Sequence, residues 1–290
     1  MPKRTALLVS MVLAGSFVCF TAPAEAKSDR SRVVQHALRQ SVRVEVRAGG
    51  KIARQASGVV VAADKGESFV LTNAHVVERT GLSGPASFVV VIERPRLHRV
   101  PARVVYEGKV PDEDLAVLVI DEQLLPVPIA DEDEVNVGDD LVVIGAPYGK
   151  SLSVSSGIVS QLELDETGPR PVQSRMKTDA PIGYGASGGG VFGVPGGKLV
   201  GLVEGYRTAR VAFGGMNSDD FSFDIPMPGE TFLAPPGKIR GFLARSPVAR
   251  LLGLESSGSP AISRVGDREP GSHGSADSAS GSAAHGVAQH

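Results

Sequence analysis

Between about residue 33 and residue 235 the chain is a succession of short β-branched runs separated by Gly, Pro and Asp. Residues 41–46, Ser-Val-Arg-Val-Glu-Val, alternate apolar and polar with a period of two, the pattern of a half-buried strand whose successive side chains face opposite ways. Further runs at 57–62, 68–72, 88–92, 100–106, 115–120, 140–145, 151–162, 174–178, 190–193, 199–204 and 221–225 bring the total to about a dozen. Strands this short and this regularly punctuated argue for a sandwich or barrel rather than for alternating strand–helix units. Helical spacing is confined to the ends, at 31–40 and 238–244, and Ser246-Pro247 limits the second helix. Residues 131–138 are acidic and lack strand character, so they read as the joint between two halves.

The termini differ in character. Lys3 and Arg4 precede an almost wholly apolar run at 6–20, and Ala24-Glu25-Ala26 is a small-x-small step, so residues 1–26 read as a signal peptide. That run is shorter than the ~20 residues a membrane-spanning helix needs. No later stretch is long and apolar enough to replace it, so the sequence predicts an exported chain, periplasmic or extracellular, with no integral membrane segment after cleavage. Cys19 lies inside the signal, and Val18 stands where a lipoprotein site needs a small residue. More than half of residues 255–290 are Ser, Gly or Ala, with no aromatic among them, and this composition predicts a disordered tail. The tail histidines His273, His285 and His290 are irregularly spaced and read as solvated residues rather than metal ligands.

Charge and cysteine content remove several function classes. Loss of Lys3, Arg4 and Glu25 with the signal moves the formal charge from −2 to −3, and a near-neutral chain has no basic face for nucleic acid. Without Cys19 the chain has no thiol nucleophile, no disulfide and no Cys-based zinc site. Its core alone must hold the fold.

Three local patterns carry chemistry. The sequence Thr178-Asp179-Ala180-Pro181-Ile182-Gly183-Tyr184-Gly185-Ala186-Ser187-Gly188-Gly189-Gly190 sets a serine among glycines, where the backbone can bend sharply and present N–H groups to a developing oxyanion. Taken alone this is also what a plain Gly-rich turn looks like, and the chain has 35 glycines. His75 follows an apolar run in Leu71-Thr72-Asn73-Ala74-His75-Val76-Val77. Outside the tail the other histidines are His36, in the first helical segment, and His98, set among arginines that would keep it exposed and make it a poor proton acceptor. A histidine beside valines is as often a satisfied, half-buried residue as a base. Asp114 stands directly before the apolar run Leu115-Ala116-Val117-Leu118, where a carboxylate can be drawn inward to accept from an imidazole Nδ1–H. Asp112 and Glu113 lie farther from the buried segment.

The order His…Asp…Ser on an all-β chain resembles the HtrA/Deg type of trypsin-like serine protease. The resemblance is carried by Ala56-Ser57-Gly58-Val59-Val60, the His75 segment, Asp114-Leu115-Ala116-Val117-Leu118 and Val137-Gly138-Asp139 leading to Gly145-Ala146-Pro147-Tyr148-Gly149. It continues through Ser156-Gly157-Ile158-Val159-Ser160, Thr178-Asp179-Ala180, Ser187-Gly188-Gly189 and Phe223-Asp224-Ile225-Pro226. It implies an all-β, chymotrypsin-like fold of two six-stranded antiparallel barrels with short terminal helices. The protease domain is then 27–254, with barrel one at about 40–130, barrel two at about 135–235 and a C-terminal helix at about 238–246. The resemblance also implies His75 as general base, Asp114 as its orienting partner, Ser187 as nucleophile, and the N–H groups of Gly185 and Ser187 as oxyanion donors. Pro181 and Ile182 would line the floor of the substrate pocket, Leu202, Val203, Glu204 and Gly205 its wall, and Tyr184 would be a further substrate-binding residue. No acid stands at that floor, which favours a small apolar side chain at the cleavage point, unless Glu204 faces inward and admits a basic one. Polypeptides, in unfolded or damaged proteins, are the implied substrates. No metal or organic cofactor is implied.

The chain also departs from the family. No segment is long enough for the PDZ domain that usually follows. Gly183-Tyr184-Gly185-Ala186 replaces the usual Asn-Pro-Gly-Asn, and losing that proline predicts a more mobile loop. HtrA relatives are often trimers, which leaves a homo-oligomer open, but no aromatic cluster near the N-terminus supports one. The alternative function is a protease-fold binding protein of weak catalytic power.

Overall fold

The structure, a computed structural model, describes residues 28–166, 172–215 and 218–255. Residues 1–26, read above as a signal peptide, and the tail from 256 onward lie outside the described residues.

Twelve strands close into two barrels of six. The first runs in the order β1-β2-β3-β6-β5-β4, built from β1 (Ser41–Ala48), β2 (Lys51–Asp64), β3 (Glu67–Thr72), β4 (Ala86–Ile92), β5 (His98–Glu107) and β6 (Ala116–Ile120). The second repeats that order as β7-β8-β9-β12-β11-β10, from β7 (Asp140–Gly145), β8 (Ser153–Asp165), β9 (Val172–Thr178), β10 (Gly190–Gly193), β11 (Leu199–Gly215) and β12 (Ser218–Ala234). Every ladder is antiparallel, and closure leaves each barrel without an unpaired edge along its waist. The segment between the barrels carries a 3-10 turn at Glu132–Glu134 and makes one parallel bridge, Ile129 to Leu199.

Alternation along the strands sorts the core into three parts. Val42, Val44, Val46, Val60, Val70, Leu118 and Ile120 fill barrel one. Leu141, Val143, Val159, Met176, Val191 and Leu233 fill barrel two. The intervening positions form a third cluster, in which Val59, Val61, Leu71 and Val117 of barrel one meet Val142, Ile144, Phe192 and Leu202 of barrel two. Two helices cap this joint. The first, α1 (Asp29–Gln40), begins at Ser28, whose hydroxyl accepts from the Ser31 N–H at 3.3 Å, and packs Val33, Ala37 and Leu38 inward. The last, α3 (Pro236–Ala244), opens on a proline at its first position and buries Ile239, Phe242 and Leu243. Among the described residues no helix is long and apolar enough to cross a membrane.

The half-buried reading of 41–46 is corrected. Arg43 and Glu45 are buried too, because Arg43 pairs with Glu93 at 2.7 Å while Glu45, 1 % exposed, faces Arg47 at 3.0 Å and Arg99 at 3.3 Å. A charged face was covered because it could be paired.

Candidate active site

β3 ends at Thr72, and one helical turn, α2 (Ala74–Val77), follows. Ala74, Val76 and Val77 are buried, which directs the His75 ring outward, with its side chain 30 % exposed. Asp114, just ahead of β6, is only 7 % exposed. Its Oδ2 lies 2.6 Å from His75 Nδ1, its Oδ1 accepts the His75 backbone N–H at 2.8 Å, and its carbonyl accepts from the Asn73 amide at 2.9 Å. An ionised carboxylate only accepts, so Nδ1 is the ring nitrogen that donates in this pair. Arg54, on β2, secures the same turn from behind. Its guanidinium donates to the carbonyls of His75 at 3.2 Å, Glu78 at 2.5 Å and Thr80 at 3.1 Å, satisfying the helix end.

Ser187 sits on a turn closed by Ala186 N–H to Gly183 O at 3.0 Å and Gly189 N–H to Ala186 O at 2.8 Å. Gly185 (φ +89°) and Gly188 (φ +77°) take left-handed backbone angles. A Cβ at Gly185 would lie 2.6 Å from Ala146 O, and one at Gly188 would collide with the Ser57 carbonyl and the Thr72 hydroxyl. Gly188 therefore lets the serine turn settle on the end of β3, three residues from His75. Among the described residues neither the Gly185 nor the Ser187 N–H makes a hydrogen bond. The Ser187 hydroxyl likewise makes none. Such bonds often tighten only when substrate is bound.

The pocket residues divide. Pro181 and Tyr184 are exposed and Ile182 is half-buried, beside the serine turn. Leu202 and Val203 are 0 % exposed and point into the core, so their side chains do not form a pocket wall. Only half-buried Glu204 and Gly205 stand at the surface there. Glu204 is paired with Lys238 of α3 at 2.7 Å, which occupies the carboxylate that could have admitted a basic side chain. Tyr148 and Tyr206 were missed by sequence reasoning. The Tyr184 ring lies between them, 6.3 Å from Tyr148 and 5.6 Å, edge to face, from Tyr206. Burial first, and the Tyr184 hydroxyl second, push the Tyr206 phenol well above its ordinary range, so it stays protonated.

His98 lies away from this site, on β5. The arginine-rich setting was expected to make it a poor proton acceptor, but the Arg96 carbonyl and then Glu122, each at 2.8 Å, raise its pKa. Among the described residues no cluster of His, Cys, Asp or Glu could hold a metal ion.

Two barrels with a His–Asp pair on one and a glycine-flanked serine on the other define the trypsin-like class of fold and site. The trypsin-like peptidase domain matches residues 56–202, and the chain belongs to that family. It is 35 % identical over 172 residues to the periplasmic serine endoprotease DegP of Escherichia coli strain K12, covering 59 % of this chain and 33 % of that protein. The periplasmic pH-dependent serine endoprotease DegQ of the same strain is 33 % identical over 172 residues, with 59 % and 34 % covered. The chain thus spans about a third of the length of these relatives. In structure it resembles the serine endoprotease from Yersinia pestis, with a TM-score of 0.55 and 27 % identity over 79 % of this chain and 68 % of that one.

Proposed function

We propose that the chain is a periplasmic serine endopeptidase in which His75, Asp114 and Ser187 carry the reaction. The observation that carries this reading is the bidentate hold of Asp114 on His75, 2.6 Å to Nδ1 and 2.8 Å to the backbone N–H. It leaves Nε2 as the only acceptor of the ring. Ser187 Oγ attacks the scissile carbonyl carbon as His75 Nε2 takes its proton, and the carbonyl π electrons move onto oxygen. The Gly185 and Ser187 N–H groups receive that oxyanion, and donors preset for it spare the reorganisation that water would need. Collapse expels the amine, which leaves with the proton from Nε2. Water then attacks the acyl carbon as Nε2 takes its proton, and collapse breaks the bond to Ser187 Oγ, which regains that proton from Nε2 as the acid leaves. Asp114 stays ionised and stabilises the imidazolium that forms in each half.

Support for export comes from the signal-like pattern at 1–26 and from relatives named as periplasmic. Pairing of Glu204 with Lys238 favours a small apolar side chain at the cleavage point. Polypeptides in unfolded or damaged proteins are the proposed substrates. The alternative, a binding protein on the same fold, is favoured by one observation: among the described residues the Ser187 hydroxyl makes no hydrogen bond, and the His75 ring bonds Asp114 alone. A fluorophosphonate probe with mass mapping separates the two. Labelling at Ser187, lost in Ser187→Ala, is expected. A folded protein that takes no label makes the binding protein the better reading.

A further inference from the structure

Ser57 lies on β2 of barrel one, 0 % exposed, and uses each of its polar atoms. Its N–H donates to Ser187 O at 2.8 Å, and its carbonyl accepts from the Thr72 hydroxyl at 2.8 Å. Its Oγ stands 2.8 Å from Gly185 O and 2.9 Å from Ala146 N. A hydroxyl has one proton, and the Ala146 N–H can only donate, so that proton goes to the Gly185 carbonyl.

This matters because a trans peptide is planar, with its N–H directed opposite to its C=O. The direction of the Gly185 N–H is therefore set by whatever holds Tyr184 O, and that of Ser187 by whatever holds Ala186 O. Four successive carbonyls are held: Tyr184 O by Tyr148 N–H at 2.5 Å, Gly185 O by Ser57 Oγ, Ala186 O by Gly189 N–H at 2.8 Å, and Ser187 O by Ser57 N–H. Three of the four donors are backbone groups. The bond to Gly185 O is the one a side chain supplies, and it secures the peptide that links the two oxyanion donors. Gly185 offers little torsional resistance of its own at φ +89°.

We propose that Ser57 is a positioning residue of the oxyanion hole, its hydroxyl holding the Gly185 carbonyl and so fixing the Gly185–Ala186 peptide that joins the two donor peptides. The proposal rests on the peptidase reading. It places one support of the barrel-two nucleophile turn on barrel one, 128 residues earlier in the chain. Without the hydroxyl the Gly185 carbonyl loses its partner, and the Gly185–Ala186 peptide is held only through the Ala186 N–H to Gly183 O at 3.0 Å, beside a glycine of little torsional resistance. The cost falls on the transition state, where the oxyanion bonds are made, and not on ground-state binding.

The test compares S57A with Ser68→Ala. Ser68 is equally buried in barrel one and accepts only from the Leu124 N–H at 2.8 Å, away from the serine turn. With a chromogenic peptide selected on the wild-type protein, S57A is expected to lower kcat roughly 10- to 100-fold at nearly constant KM, less than outright removal of an oxyanion donor. Affinity for a peptide boronate, whose adduct on Ser187 places oxygen in the hole, is expected to fall in parallel. S68A is expected to keep kcat within about two-fold. A folded S57A with wild-type kcat and boronate affinity, or equal losses in S57A and S68A, overturns the proposal. Should S57A fail to fold, Ser57→Cys substitutes a weak donor of similar size, and wild-type kcat in that variant overturns it equally. Absence of Ser187 labelling in the wild-type protein instead overturns the peptidase reading, and this proposal with it.

Discussion

The two halves of the site are built differently. The His75–Asp114 half lies within barrel one, held by direct side-chain bonds and backed by Arg54 from the neighbouring strand. The Ser187 half is a chain of backbone carbonyls whose partners lie within the turn itself, on the 146–149 segment and on barrel one. A charge pair needs only two side chains at the right distance. An oxyanion hole needs several peptide planes oriented together, and no single residue type ensures that. The first half is therefore local and robust, whereas the second depends on how the barrels dock.

The largest expected effect tests the second half at its centre. Ser187→Ala should lower kcat by about 10⁶-fold, the loss seen when a triad nucleophile is removed. Steady-state assay of a purified folded variant checks this. Asp114→Asn should cost about 10⁴-fold through the wrong imidazole tautomer. If the halves are separable, amide exchange at 183–189 should be unchanged in that variant.

Phe192→Ala tests docking. The ring is fully buried between the barrels, and its removal should cost about 3–5 kcal/mol, readable by denaturant titration. It should reduce Ser187 labelling while the low-field His75 Nδ1 proton resonance persists. Loss of both together would break the contrast between the halves. Gly188→Ala should destabilise by at least about 2 kcal/mol, since it adds left-handed strain to a collision with the Ser57 carbonyl.

The smallest effect lies outside the site. The pKa of His98 is raised above its ordinary 6.5, first by the Arg96 carbonyl and then by Glu122. The folded state therefore binds its proton more tightly, and that stabilisation is full below the unfolded value and lost as pH rises through the folded one. Replacing it in His98→Gln should lower Tm more at about pH 5.5 than at about pH 8. Equal shifts at both values would remove this contribution.

Much of the fold was legible because strand alternation is a local signal. Residues 140–145 and 190–193 were read with the observed bounds of β7 and β10. The β11–β12 pair was not. Its runs were read at 199–204 and 221–225, but the strands extend over Leu199–Gly215 and Ser218–Ala234. Pro226 is a strand-poor residue held in register opposite Thr208, while Gly214, Asp219, Asp220, Pro228 and Gly229 fall where the ladder shifts register or leaves them unpaired, so no local pattern marked the extension. The site divides in the same way. His75, Asp114 and Ser187 each stand in a recognisable segment, but Arg54, Lys238, Tyr206 and the role of Ser57 had no local mark.

By itself, then, the sequence determined the all-β class, the number of strands and the three chemically marked segments, because period-two patterning, glycine turns and an acid before an apolar run depend on neighbours in the chain. Only the tertiary structure decided that Leu202 and Val203 are core, that Glu204 is neutralised by Lys238, and that Ser57 reaches the Gly185 carbonyl. Those outcomes turn on which polar groups meet across barrels and helices once water is excluded. Such pairings are set by the closure of the whole chain and leave no periodic trace along it.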